Sequence, residues 1–323
     1  MKIRDIFIAL FIAIVWAANN IGAKYALNHF PICYWVSMRM IICAIALLPF
    51  YKKVRMPLSH LILLGTNYSL LTILRYKGIE MKMDVSVVII IDKLSNIFSV
   101  ILGVMVLKEK INNKTKIGIL LTIAGTMLLS SSPKVSGNWL AFASVLTGAF
   151  CWAIYNIQIK TIKETNYMAV MAWSTLFGVI LPTILSLYTE NSHIQLAKTA
   201  TMTSISGVIF TAIFPLLLGN GLWYYLLSKY PLSQITAFVL LEPVLGFIGA
   251  IVILNETVTL KILGGLLIIF TGVLFIVYGK EKTTVLRVVH TTKKHKITIG
   301  TKYPNITKTG LDQSSNNKNI AIQ

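Results

Sequence analysis

The chain has 323 residues, of which 55% are hydrophobic and 13% charged, with a formal net charge of +19 and three cysteines. Those proportions exclude an ordinary soluble domain. The basic excess is no nucleic-acid footprint, because it falls in the connections between apolar runs and in a polar C-terminal tail, and Cys33, Cys43 and Cys151 sit inside apolar runs with no disulfide or metal spacing.

In chain order, Lys2 and Arg4 precede a first apolar run over 6–27. A secretory signal begins the same way, but this run continues without a small-x-small cleavage site, so an uncleaved first helix is expected. Further runs follow at 33–50, 58–74, 85–107, 117–129, 139–159, 168–187, 204–227, 235–254 and 260–278. Each is near the roughly 20 residues that carry a helix across about 30 Å of hydrocarbon, the shorter ones being completed by interfacial flanks. Lipid cannot satisfy free backbone groups, so the runs are expected to be regular helices. The predicted fold is an all-α membrane protein of ten transmembrane helices. Lys and Arg in the connections divide twelve to six in favour of the side holding the N-terminus, which places both termini in the cytoplasm.

Two segments read as copies. Trp16, Asn20 and Lys24 recur as Trp152, Asn156 and Lys160 at i, i+4 and i+8, one polar and aromatic stripe along an apolar helix. Five runs separate the copies, and an odd number of crossings inverts the second relative to the first, the inverted-repeat architecture of secondary transporters. Glu109 is followed at +9 and +16 by Gly118 and Gly125, and Glu256 at the same offsets by Gly265 and Gly272. Glycines seven apart share one face, so the fifth and tenth helices read as packing elements, and the two glutamates as structural groups near the N-terminal turn of the next helix. The domains expected are 1–133 and 134–279, one repeat each. The tail over 280–323 is too polar to build a core and reads as disordered; its Lys293-Lys294-His295-Lys296 stretch either rests on anionic headgroups or is simply solvated.

Ionisable residues inside a membrane are costly and point to function. Here they are Arg39, Asp92, Lys93 and Glu242. Asp92, Asn96, Ser99 and Gly103 form one small or polar stripe, Glu242, Gly246 and Gly249 another, and Pro243 is expected to kink its helix. Adjacent residues on a helix lie about 100° apart, which makes Asp92 a poor partner for Lys93. A cross-repeat pair between Lys93 and Glu242 is expected instead. Burial disfavours the charged form of a carboxylate, which makes Glu242 the candidate for a protonatable coupling group. Arg39 reads as snorkelling or held by a structural carboxylate rather than touching substrate. Pro215 with Gly219-Asn220-Gly221 is expected to loosen the eighth helix. The candidate substrate-binding residues are Trp16, Asn20, Asp92, Lys93, Ser95, Asn96, Asn156, Asn220, Trp223 and Glu242. The five histidines are scattered, no nucleotide-binding loop is present, and neither an enzyme, a metal site nor a bound cofactor is expected.

Trp16 to Lys24, Met38-Arg39, Leu107 to Lys110, Phe150 to Ala153 with Asn156-Ile157 and Lys160, Gly219 to Trp223, Pro243 to Gly246, and Asn255-Glu256 with its glycines together carry a resemblance. Over about residues 5–279 the chain resembles the EamA family of the drug/metabolite transporter superfamily, nearest its exporters of O-acetylserine and cysteine. The resemblance implies a ten-helix inverted-repeat permease of the bacterial inner membrane that exports amino acids or related metabolites. The chain departs from those exporters at Asp92-Lys93-Leu94-Ser95 and at Glu242, where they look uncharged. The expected mechanism is alternating access around a midplane cavity lined by the first, fourth, sixth, eighth and ninth helices, with Asp92, Lys93 and Glu242 setting its charge selectivity. The expected partners are a small-molecule substrate and membrane lipids, no nucleic acid, and a coupled proton or counter-solute, in a monomer or dimer. The alternative is an uptake permease or passive facilitator for a different charged metabolite such as a nucleoside or nucleotide derivative.

Overall fold

A computed structural model describes residues 2–107, 113–131, 137–162, 166–191, 193–230 and 241–279. Glu109, the Lys160 side chain and the 280–323 tail lie outside the described residues. Among those described, every regular element is helical. They are α1 (Ile3–Leu27), α2 (Ile32–Ala46), a 3₁₀ turn (Leu48–Phe50), α3 (Leu58–Glu80), α4 (Val85–Asp92), α5 (Ser95–Leu107), α6 (Asn113–Ser130), α7 (Trp139–Thr161), α8 (Tyr167–Gly178), α9 (Ile180–Thr189), α10 (His193–Lys198), α11 (Met202–Thr211), a π segment (Ala212–Gly219), α12 (Asn220–Lys229), α13 (Leu241–Leu254) and α14 (Leu260–Gly279).

Helix starts follow local chemistry. Pro31 and Pro57 precede α2 and α3, where a ring that fixes φ and lacks an N–H does no harm. Asn138, Asn166 and Thr201 accept from Ala141, Ala169 and Ser204 backbone N–H groups at the starts of α7, α8 and α11, each satisfying one orphan donor.

The polarity of the molecule is inverted relative to a soluble protein. Phe7, Ile14, Leu63, Met127 and Leu187 stand on the surface, while Asp5, Asn20, Arg39, Asp92 and Glu242 are buried. A continuous apolar exterior of this kind suits lipid. Five helical stretches are long and apolar enough to cross a membrane, Ile3–Leu27, Val85–Val106, Trp139–Ile159, Tyr167–Thr189 and Met202–Leu226, and Ile32–Ala46, Leu241–Leu254 and Leu260–Ile276 are apolar but shorter. α3, 23 residues long, is more polar, carrying Asn67, Arg75, Lys77 and Glu80.

Three runs that read as continuous helices are interrupted. The fourth breaks at Lys93-Leu94, the seventh at Val179, and the eighth widens to a π segment containing Pro215 before returning to α-helix at Asn220. A proline removes one ladder hydrogen bond, and the wider turn is one way to accommodate it. The turn preceding Pro243, on which the kink expected there depends, lies outside the described residues. The glycine pattern is used as packing. Gly118 and Gly125 of α6 meet Gly272 and Gly265 of α14 so closely that a Cβ on Gly118 would lie 2.6 Å from the Gly272 carbonyl oxygen.

Candidate functional site

A cavity of about 160 Å³ lies among α1, α2, α3, the α4–α5 break, α7, the π segment, α12, α13 and α14. The second, third and tenth runs thus join the five expected to line it. Its polar wall is a four-charge cluster. Lys93 Nζ donates to Glu242 Oε2 at 2.9 Å, as the sequence suggested. Lys93 Nζ also lies 3.6 Å from Asp92 Oδ2, Arg75 Nε lies 3.2 Å from Asp92 Oδ1, and an Arg75 terminal nitrogen lies 4.0 Å from Glu242 Oε1. The four side chains are between 7% and 15% exposed. Arg75 Nε and Asp92 Oδ1 are close yet not aligned for a hydrogen bond, so their contact is an ion pair only.

Two expectations are corrected here. Asp92 and Lys93 do approach each other, to 3.6 Å, because the long lysine chain folds back across the helical step between them, Lys93 itself keeping an αR backbone. Arg75, read from sequence as part of an outer connection, is inside α3 and turned into the cavity. The apolar run ends at Leu74, whereas the helix continues to Glu80. Glu242 therefore sits among cations.

Trp16, Asp92, Lys93, Ser95, Asn96, Asn220 and Glu242 line the cavity, and Trp152 joins them. Asn20, Asn156 and Trp223 are not among the lining residues. Asn20 is fully buried with neither amide atom hydrogen-bonded; its neighbour Asn19, 100° round the helix, faces the cavity instead and donates to the Tyr76 hydroxyl at 2.5 Å. Asn156 Nδ2 donates to Ser99 Oγ at 3.4 Å, tying α7 to α5. Trp223 packs on Trp16, ring centroids 5.4 Å apart, outside the lining.

The broken helix contributes its backbone. Trp16 Nε1 donates to the Pro215 carbonyl at 3.3 Å, which also accepts from the Asn220 N–H at the end of the π segment. Gly219 permits this approach, since a Cβ there would lie 2.6 Å from Trp16 Nε1.

Arg39 is neither snorkelling nor salt-bridged. It is 2% exposed, stacks 5.0 Å from the Trp35 ring centroid, and among the described residues has no carboxylate within 4.0 Å. Trp35 meets Tyr76 edge-on at 5.1 Å, so Arg39, Trp35, Tyr76 and Asn19 form one wall. No group of three His, Cys, Asp or Glu among the described residues is arranged to hold a metal ion.

A buried ion-paired cluster beside a cavity in an apolar, helical chain is suited to binding a small polar molecule rather than to reacting with it. The sequence profile of the EamA-like transporter family matches residues 4–131 and 139–278. This chain belongs to the EamA-like transporter family. Membership makes it an integral membrane transporter of small molecules. Two proteins named "Probable amino-acid metabolite efflux pump" are similar to this family member. One from Salmonella typhimurium is 29% identical over 86% of this chain and 96% of its own length, and one from Escherichia coli K12 is 28% identical over the same shares. A crystal structure with a TM-score of 0.58 and 14% identity, covering 85% of this EamA-like chain and 96% of that one, shares the fold.

The EamA-like carboxylates outside the cavity have structural work. Glu256 accepts from the backbone N–H groups of Val85 at 2.6 Å and Ser86 at 2.9 Å, capping α4. A helix N-terminus was expected for it, but that of the following helix. The chain turns away at Asn255, whose φ of 53° is left-handed, and so brings Glu256 back to α4 instead.

Proposed function

We propose that this chain is a secondary transporter of the bacterial inner membrane that exports amino acids or related small metabolites by alternating access. Ten spans in two inverted five-helix repeats, 1–133 and 134–279, carry the motion, with both termini in the cytoplasm. The observation that carries the reading is the Arg75, Asp92, Lys93 and Glu242 cluster, which joins elements of both halves across a small compartment. Ion pairs are strong where water is excluded and weaken as it enters. The Lys93–Glu242 pair therefore holds the compartment shut on one side and loosens when that side opens. Trp16, Asp92, Lys93, Ser95, Asn96, Asn220 and Glu242 face the substrate, and a proton or counter-solute drives it. The names of the two relatives that match along nearly their whole length support amino-acid metabolites as the cargo.

The test is counterflow in proteoliposomes with a panel of labelled amino acids. Unlabelled substrate trapped inside is expected to accelerate uptake of label. Lys93→Glu and Glu242→Lys each abolish it, and the double change restores part of it. Uptake that never exceeds equilibrium, shows no counterflow and ignores an uncoupler would identify a passive facilitator instead.

A further inference from the structure

Among the described residues, the charged side chains that line the cavity do not balance. Arg75 and Lys93 are matched by Asp92 and Glu242, leaving Arg39 as a third cation. Arg39 is 2% exposed, its charge lies against Trp35, and its Nε has no hydrogen-bond acceptor among the described residues. A buried cation left without an anion is strongly disfavoured in a membrane interior. A planar guanidinium with its donor fork unused is matched best by a carboxylate. On the same wall Asn19 Oδ1 is buried with no donor against it, an acceptor suited to a neutral N–H. An ammonium group, by contrast, would find both carboxylates already held by Arg75 and Lys93. The compartment, about 160 Å³, is of the size that accepts a benzene-scale molecule.

We propose that the cavity binds a small carboxylate of net charge −1 carrying a neutral N–H, in chemical terms an amino acid whose amine is acylated, with the carboxylate on Arg39. The inference rests on the transport reading above and narrows its substrate class.

The experiment is equilibrium binding to the purified full chain in detergent, followed by tryptophan fluorescence, because Trp16 and Trp152 line the cavity. The probes are L-alanine, N-acetyl-L-alanine and L-alaninamide, which differ chiefly in net charge. N-acetyl-L-alanine is expected to bind at least about 30-fold more tightly than the other two, the scale set by a buried charge pair. Arg39→Gln is expected to abolish that preference and Arg39→Lys to retain part of it. Equal or tighter binding of L-alanine overturns the proposal, as does an Arg39→Gln protein that keeps the preference for the anion. If Arg39→Gln does not yield a monodisperse protein, the ranking of the three probes on the unaltered chain and on Arg39→Lys decides. Proteoliposomes separate the two readings. Transport of L-alanine without binding of N-acetyl-L-alanine sinks the anion site and leaves the transporter standing. Anion binding by a protein that moves neither N-acetyl-L-alanine nor any amino acid of the panel does the reverse.

Discussion

Lys93 and Glu242 stand 149 residues apart in the chain and 2.9 Å apart in space, and each is also within 4.0 Å of a second opposite charge. In such a cluster the cost of change depends on what is left behind. Removing one member strands a buried charge, an effect of about 3–5 kcal/mol, whereas replacing a pair by apolar groups of similar volume is often neutral or stabilising. Lys93→Met alone and Glu242→Leu alone are therefore each expected to lower thermal stability by about that amount in detergent. The double variant should be more stable than either single one. Additive losses in this cycle would mean that the two charges act independently. Transport should fail in all three, since the double variant keeps the packing and loses the charges.

At the scale of the element, α6 and α14 are held together by absent side chains. A Cβ on Gly272 would collide with Thr122 Oγ1 and lie 2.7 Å from the Gly118 carbonyl oxygen and 2.8 Å from the Thr122 backbone nitrogen. Backbone cannot yield as a side-chain tip can, so Gly272→Ala is expected to force the helices apart and cost about 1–3 kcal/mol. Gly264 on the same helix is the control, because a Cβ there meets only the Leu128 Cδ2 methyl at 3.2 Å. Gly264→Ala should be neutral or slightly stabilising through helix propensity, by up to about 1 kcal/mol. Thermal unfolding of the two variants side by side checks the contrast. This packing was legible in the sequence because a seven-residue glycine spacing fixes a face without knowledge of the partner. The weakening of the helix at Pro215 was legible for the same reason, a local rule that tertiary structure did not override. Arg75 and Asn19 were not. Whether a residue at the edge of an apolar run faces water or a cavity depends on which neighbours surround it, and one step along a helix, Asn19 against Asn20, changes the direction by 100°. Likewise, no local pattern records that Arg39 lacks a carboxylate among the described residues. That absence emerges only when Asp92 and Glu242 are seen to be engaged elsewhere.

Across the whole molecule the few acidic residues act as ties between distant segments. Glu80 accepts from the Ile32 N–H, Glu190 from the Cys33 and Tyr34 N–H groups, and Glu256 from those of Val85 and Ser86. Each places a carboxylate at the positive end of a helix that begins elsewhere in the chain. Asp5 accepts from the Tyr225 and Tyr230 hydroxyls and joins the start of α1 to the end of α12. For α4 the tie at Glu256 has a counterpart, since the residues at its other end, Asp92 and Lys93, belong to the charge cluster with Glu242. Glu242 lies within α13 and Glu256 beyond its C-terminal end, so α4 is tied to α13 at two points and the two run antiparallel. Glu256→Gln removes the charge but keeps the shape, and charge-assisted bonds are roughly twice as strong as neutral ones. A loss of about 1–2 kcal/mol is expected, within the range for helix caps and dipole partners. Hydrogen exchange should localise it. The amides of Val85 and Ser86, which donate to Glu256, should exchange faster, as should the first turn of α4, while α6 and α14 keep their protection. Unchanged exchange at Val85 and Ser86 would mean that the Lys93–Glu242 contact alone holds α4 against α13, and that the motion of the transporter need not carry them together.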